Sequence, residues 1–326
     1  MGIVFTSGTT ESINLAASGW AKHNLKAGDI IVTSEMEHHS NFVPWLRLKE
    51  EIGIELVILP LGRDYRIDYK STELDYSRVK LIALSHASNV LGTVNPIADI
   101  SGFFRQKGAN ARLAADAAQS VPHMPVNVQD IGADFLAFSS HKMLGPSGVG
   151  VLYVKKELLD QMKPVLVGSH MIESVSKDQA VWAEPPAKFE PGTRNIEGVI
   201  GLGAAIDYLK TVGMANMVEF ENKLTAYFLE KLGGQAGVKL FGPSRTKDRI
   251  GVFSFAVGNV HPHDTAEILN RSNIAVRAGH HCAEPLMQTL EVPGTVRASL
   301  YLYNDKSDVD KLVESIDEVK RVFRIK

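Results

Sequence analysis

The chain has 326 residues, 44% of them hydrophobic and 22% charged, and 35 basic against 37 acidic side chains leave a net charge of −2. At roughly 150 residues per domain this is about two domains of an ordinary globular protein. The composition excludes a collagen, a coiled coil, a disordered chain and bulk nucleic-acid binding driven by charge. No apolar run approaches the ~18 residues of a membrane helix, and no basic-then-apolar leader opens the sequence. The one cysteine, Cys282, cannot form an internal disulfide, so a cytoplasmic location is expected.

Short β-branched runs alternate with longer helical patterns over the first 160 residues. Residues 29–33, 55–59, 80–84, 112–115 and 134–138 read as strands, near-continuously apolar as in strands covered on both faces. Helical patterns lie at 11–23, 42–52 and 97–107. This alternation predicts an α/β fold with a mainly parallel sheet and helices on both faces, whose ligands bind beyond the carboxyl ends of the strands. Residues 149–154 read as one more strand, with an antiparallel placement open to it. Residues 163–195, rich in Pro, Gly and Ser, read as a long irregular segment, and such segments are often functional. The remainder predicts helices at 198–212, 215–232, 263–271 and 306–323 and strands near 250–257, 274–277 and 296–301. We therefore expect a large domain over residues 1–196 and a smaller α+β domain over 197–326.

Ser7-Gly8-Thr9-Thr10-Glu11 stands before a helical pattern. Its free N–H groups and hydroxyls suit a phosphate, while a simple capping box explains the same residues. Asp116 ends one strand, where it can face a ligand or cap the next helix. Lys142 follows another, in Ser139-Ser140-His141-Lys142, where a desolvated amine can form a Schiff base and a solvated one only carries charge. Taken together, a Schiff-base lysine, a phosphate-binding helix start and a carboxylate for a pyridinium nitrogen specify pyridoxal 5'-phosphate. Cys282 sits in Arg277-Ala-Gly-His280-His281-Cys282, where a cationic neighbourhood favours thiolate; an inert buried cysteine is the alternative. Three adjacent ligands wrap a tetrahedral zinc poorly, so no metal is expected. Arg297 can clamp a carboxylate bidentately or serve as a solvated strand charge.

These segments occur in the order of a known family. The chain resembles class V aminotransferases, fold-type I pyridoxal-phosphate enzymes, and more narrowly group II, SufS-like cysteine desulfurases and selenocysteine lyases. The matching motifs are Ser7 to Asn14, Glu37-His-His-Ser-Asn41 with Pro44-Trp45, Ser85 to Gly92, Asp116-Ala-Ala-Gln119, His141-Lys142, Phe189 to Thr193, Arg277 to Pro285 and Arg297 to Asn304. They span almost the whole chain.

The resemblance implies a seven-stranded-type sheet and a role for each residue. Lys142 would hold the cofactor covalently, His38 would stack on its ring, Asp116 would pair with the ring nitrogen and Gln119 with the phenolic oxygen. Thr9, Thr10, Ser139 and His141 would hold the phosphate. Thr193 would reach the phosphate of a second subunit, which implies a homodimer. Asn89 and Arg297 would bind the substrate carboxylate, Arg277 would lie near the reactive cysteine, and Cys282 would take the sulfur. The implied reaction is L-cysteine to L-alanine with a persulfide on Cys282, passed to an acceptor protein for iron–sulfur cluster assembly. Selenocysteine lyase, another class V enzyme and an inactive truncated scaffold are the rival readings. Two departures accompany the resemblance. The threonines come at positions 9 and 10, with the family's upstream segment missing; that segment would pack on the smaller domain and border the site. Ser140 stands where the family often has glycine.

Overall fold

A computed structural model gives the structure of residues 2–325. Seven strands form the main sheet: β1 (Gly2–Thr6), β2 (Ile30–Ser34), β3 (Glu55–Leu59), β4 (Val79–Ser85), β5 (Arg112–Asp116), β6 (Phe135–Ser139) and β7 (Gly150–Val154). Their order is β1-β7-β6-β5-β4-β2-β3. The β6-β5-β4-β2-β3 run is parallel, and β7 is antiparallel to both of its neighbours. The parallel run brings Ser85 level with Asp116, and Asp116 level with Ala137. The carboxyl ends of β2, β4, β5 and β6 therefore open onto one edge of the sheet.

Alternation along each strand fills two apolar layers. In β4, Leu81 and Ala83 face a layer with Trp20, Trp45 and Phe135, while Ile82 and Leu84 face one with Phe104, Leu113 and Leu136. Both faces are covered, which explains why these strands read as continuous apolar runs. The first helix runs from Thr9 to Leu15 and continues as a π-helical stretch, Ala16–Ala21, before a last turn at Lys22–Asn24. Gly19 lies in that stretch against the Lys163 backbone, whose N–H donates to the Gly19 carbonyl at 2.8 Å; a Cβ there would stand 2.8 Å from the Lys163 oxygen.

The long segment over 163–195 is more ordered than its composition predicts. It holds a two-stranded hairpin, β8 (Ile172–Val175) with β9 (Ala180–Trp182), and a 3-10 turn at Ala187–Phe189. A four-stranded antiparallel sheet follows, in the order β10-β11-β13-β12, from β10 (Val238–Phe241), β11 (Val252–Val257), β12 (Arg277–Gly279) and β13 (Thr295–Ser299). Helices Met214–Gly233 and Lys306–Phe323 cover one face of it. Val309, Leu312, Ile316 and Val319 recur at helical spacing, and Asp305 starts their helix with a capping box. Phe228 stacks on Phe253 with centroids 3.7 Å apart. The sequence reading missed β1, β10 and the short helices Ser120–His123, Val128–Ile131, Lys156–Leu159 and Glu284–Thr289, and placed β12 three residues early. β1, β10 and β12 are sheet-edge strands of three to five residues, too short for alternation to mark them.

Candidate active site

Four strand ends and two residues of the small sheet enclose a cavity of about 270 Å3, near the lower end of small-molecule sites. Lining it are Thr9 and Thr10, then His38, Asn89, Asp116 and Gln119, then Ser139, His141 and Lys142, and finally Arg277 and Arg297. Eleven of the thirteen sequence-predicted site residues thus meet in one place. Cys282 stands beside the cavity, where Arg277 Nη2 donates to its Sγ at 3.4 Å. Thr193 lies elsewhere: it lines a separate cavity with Phe5, Glu11, Gly148 and Arg194. Its segment is fixed on the sheet edge by Glu190, which accepts from the Phe5 N–H and pairs with Arg194.

At the start of the first helix, Gly8 offers no side-chain cap. Thr9 instead binds Ser139 across the cavity, N to Oγ at 2.8 Å and Oγ1 to Oγ at 2.6 Å. Thr10 Oγ1 meets Ser40 Oγ at 2.7 Å. Gly150 makes this packing possible, since a Cβ there would fall 2.4 Å from Gly8 Cα. Four hydroxyl-bearing residues, Thr9, Thr10, Ser40 and Ser139, and an uncapped helix start converge, the chemistry of an anion site. Ser140 points elsewhere: it is fully buried, its hydroxyl has no partner, and it packs on Gly145, where any Cβ would collide with it.

Asp116 is buried and accepts one hydrogen bond, from the Ala118 N–H at 3.0 Å. Burial pushes its carboxyl up from the ordinary range, against the pull of Lys142. Burial also pushes the Lys142 amine down; Asp116 opposes this, and Arg297 and Arg277 add to it. A lowered amine is more often unprotonated, hence nucleophilic. His38 accepts the Ser40 N–H at Nδ1, 3.1 Å away. Burial, with Lys142 and His39 adding to it, lowers His38 to about 4, so its ring is neutral. A buried carboxylate short of partners, a desolvated amine and a hydroxyl cluster at a helix start fit a cationic ring, an aldehyde and a phosphate. Pyridoxal phosphate carries all three.

Below this layer the sequence reading missed Glu37. Its carboxylate is buried and accepts from Ser34 Oγ, Asn41 Nδ2 and Ser85 Oγ at 2.6, 2.6 and 2.7 Å. Burial raises it to about 7. Ser40 and Ser85, which line the cavity, were also passed over, although both lie inside the Glu37–Asn41 and Ser85–Gly92 motifs.

The cysteine segment docks on the large sheet's loops. His39 N donates to the Cys282 carbonyl at 2.7 Å, and Asn89 Nδ2 donates to the His281 carbonyl at 2.8 Å. Arg297 Nη1 donates to the Asn89 carbonyl at 3.0 Å, and its buried Nε has no partner. His281 is buried against Thr295, and burial lowers it to about 4. His281 and Cys282 both adopt left-handed backbone, with φ of 55° and 59°.

The family described as aminotransferase class V matches residues 1–312. The chain belongs to the class V aminotransferase family. Within it, a protein of Salmonella agona named cysteine desulfurase is 46% identical over 98% of this chain and 78% of its own length. The apo structure of a cysteine desulfurase from Thermococcus onnurineus superposes with a TM-score of 0.93 at 42% identity, covering 98% of this chain and 79% of that one. The Escherichia coli cysteine desulfurase CsdA, in an S-sulfonic acid form, gives 0.92 at 39% identity over the same shares. The α/β fold expected from the sequence is thus the fold of this family. Among the described residues no helix is long and apolar enough to cross a membrane.

Proposed function

We propose that the chain is a pyridoxal-phosphate-dependent cysteine desulfurase, converting L-cysteine to L-alanine and leaving the sulfur as a persulfide on Cys282. The observation that carries this reading is the placement of Cys282 under the Arg277 guanidinium, beside a cavity lined by Lys142, Asp116 and His38. A transaminase has no use for a thiol there. Similarity to proteins named cysteine desulfurase supports the same conclusion.

In this reading Lys142 would bind the cofactor covalently, Asp116 would pair with its ring nitrogen and Gln119 with its phenolic oxygen. His38 would cover the ring, and Thr9, Thr10, Ser139 and His141 would hold the phosphate. When bound, the cofactor withdraws electrons from the α-carbon of the attached amino acid. Lys142, whose amine burial holds below its ordinary range, would take the α-proton. Arg297 binds the substrate carboxylate through the N–H groups left over from its contact with Asn89. Asn89 contributes its second amide N–H, the first being held by the His281 carbonyl. The Cys282 thiolate attacks the substrate sulfur. A sulfur–sulfur bond forms, the carbon–sulfur bond breaks with its electron pair remaining on the substrate carbon, that carbon takes a proton to become alanine's methyl group, and the α-carbon recovers the proton held by Lys142. Arg277 places a positive N–H donor beside the attacking sulfur throughout.

The persulfide would pass to a sulfur-acceptor protein in the cytoplasm for iron–sulfur cluster assembly. Thr193, outside the cavity of its own chain, would serve the phosphate site of a second copy in a homodimer. Residues 1–196 would form the cofactor-binding domain and 197–326 the domain that presents the cysteine. Alanine release from L-cysteine, with persulfide trapped on the protein, tests the reaction. Parental alanine release by Cys282→Ser would refute it. Mixing Lys142→Ala and Thr193→Ala chains tests the dimer, because one site of each heterodimer would carry neither change; a fully loaded monomer in sedimentation would exclude it.

A further inference from the structure

The turn that carries Cys282 is strained. Two consecutive non-glycine residues with positive φ, His281 and Cys282, occupy a region that disfavours side chains and persists only where surrounding contacts hold it. Most of those contacts come from residues already given a role, but His39 has none. It does not line the cavity, yet it reaches both ends of the turn. Its main-chain N–H donates to the Cys282 carbonyl at 2.7 Å. Its Nε2 accepts the Glu284 N–H at 3.1 Å. The Glu284 carboxylate lies outside this bond, 3.8 Å from His39 Nε2 and 3.2 Å from His280 Nδ1, and is more than half exposed. Exposed ion pairs of that kind contribute little, so the neutral hydrogen bond is the stronger hold.

We propose that His39 is a positioning residue for Cys282: its imidazole and its main-chain N–H clamp the two ends of the Cys282–Glu284 turn and keep the thiol aimed at the cavity mouth. The ring acts as an acceptor, with Nε2 unprotonated and Nδ1 carrying the proton. His38, next to it, lines the cavity, so one pair of histidines serves the cavity with the first ring and the nucleophile with the second. The inference rests on the desulfurase reading for its consequence in turnover, and on geometry alone for its consequence in thiol exposure.

The test compares His39→Ala, His39→Gln and Glu284→Ala in the cofactor-loaded protein. A glutamine oxygen reaches roughly where Nε2 stands and can accept the Glu284 N–H. Two quantities are read: the rate of Cys282 alkylation by iodoacetamide, and kcat and KM for L-cysteine. His39→Ala should speed alkylation several-fold and lower kcat by about tenfold, the effect of one lost hydrogen bond. KM, the cofactor absorbance and the melting temperature should stay near the parent's. His39→Gln should restore most of both, and Glu284→Ala, which keeps the N–H, should resemble the parent. Should His39→Ala express poorly, His39→Asn, polar but too short to reach the N–H, takes its place with the same expectation. Parental alkylation and kcat in His39→Ala overturn the proposal. So does equal impairment of the Ala and Gln variants, or a Glu284→Ala variant as impaired as His39→Ala. Absence of alanine production by the parent would refute the desulfurase reading and leave the alkylation result to decide the clamp.

Discussion

Asp116 and Lys142 on one side and Cys282 on the other border the same cavity, but different forces hold them. Asp116 ends a central parallel strand, and Lys142 sits in the 3-10 turn that follows the next one. Two fully buried apolar layers fix their backbones. Cys282 sits in a strained turn held by a few hydrogen bonds from His39, Asn89 and Arg277. The first arrangement resists displacement by packing, which many residues share. The second depends on single contacts and can yield locally. A desulfurase needs both: a cofactor held still and a sulfur that must first attack inside the cavity and then be handed outward.

The largest effect should come from the rigid side. On the proposed reading Lys142→Ala removes the covalent anchor and the base, so alanine production should fall by at least ~10³-fold, in the range of lost acid–base catalysis, and the cofactor should wash out on gel filtration. Cys282→Ser should abolish sulfur transfer to a comparable extent, since a serine hydroxyl is a poor nucleophile near neutral pH. It should, however, keep the parent's cofactor absorbance and its spectral response to L-cysteine. Loss of cofactor from Cys282→Ser would show that the two halves are not separable.

Acid should also distinguish the halves. His86 and His281 are each held near 4 by burial, below their usual value of 6.5. The folded state then binds fewer protons than the unfolded one between those values, so their contribution is complete above pH 6.5 and is lost as pH falls toward 4. Glu37, raised from 4.5 to about 7, has the opposite sign: its contribution is present below 4.5 and lost as pH rises through 7. The unfolding free energy from urea titration should therefore fall more steeply on acidification in Glu37→Gln than in the parent, by a difference on the order of 3 kcal/mol across that window. An unchanged slope would mean that the Glu37 carboxyl is not held protonated.

Legibility from sequence followed the same division. Asp116, Ser139 and Lys142 lie at or just beyond ends of apolar strands, so strand reading alone brought them to one sheet edge. The proposed role of Cys282 rests in the sequence only on its neighbours Arg277, His280 and His281, because nothing in a local pattern reveals left-handed backbone at non-glycine residues. Glu37 was seen only as the start of its motif: Ser34 and Asn41 lie three and four residues from it, but Ser85 comes from another strand, and burial of the carboxyl between them is not a local pattern. Thr193 lines a cavity apart from the other predicted residues, so its proposed role has to come from a second copy. Ser140, marked in the sequence as a departure, proved to be accommodated by Gly145, a pairing that only the packing displays.

The smallest effect bears on the turn from its far side. His281 Nε2 lies 2.9 Å from Thr295 Oγ1 and 3.1 Å from the Thr295 carbonyl. Both oxygens can accept from one ring N–H, because such bonds are often shared. Thr295→Val keeps the carbonyl and the shape and removes only the hydroxyl, at a fully buried position. The loss should be about 1 kcal/mol, which is roughly a fivefold rise in the population of the opened turn. Cys282 should be alkylated faster by about that factor. The cofactor should remain as tightly held as in the parent, because no residue around Thr9, Ser139 or Lys142 touches the substituted group through a hydrogen bond. A variant that loses cofactor affinity and turn stability together would show that strand ends and cysteine turn move as one body, and the distinction between a packed half and a tethered half would then fail.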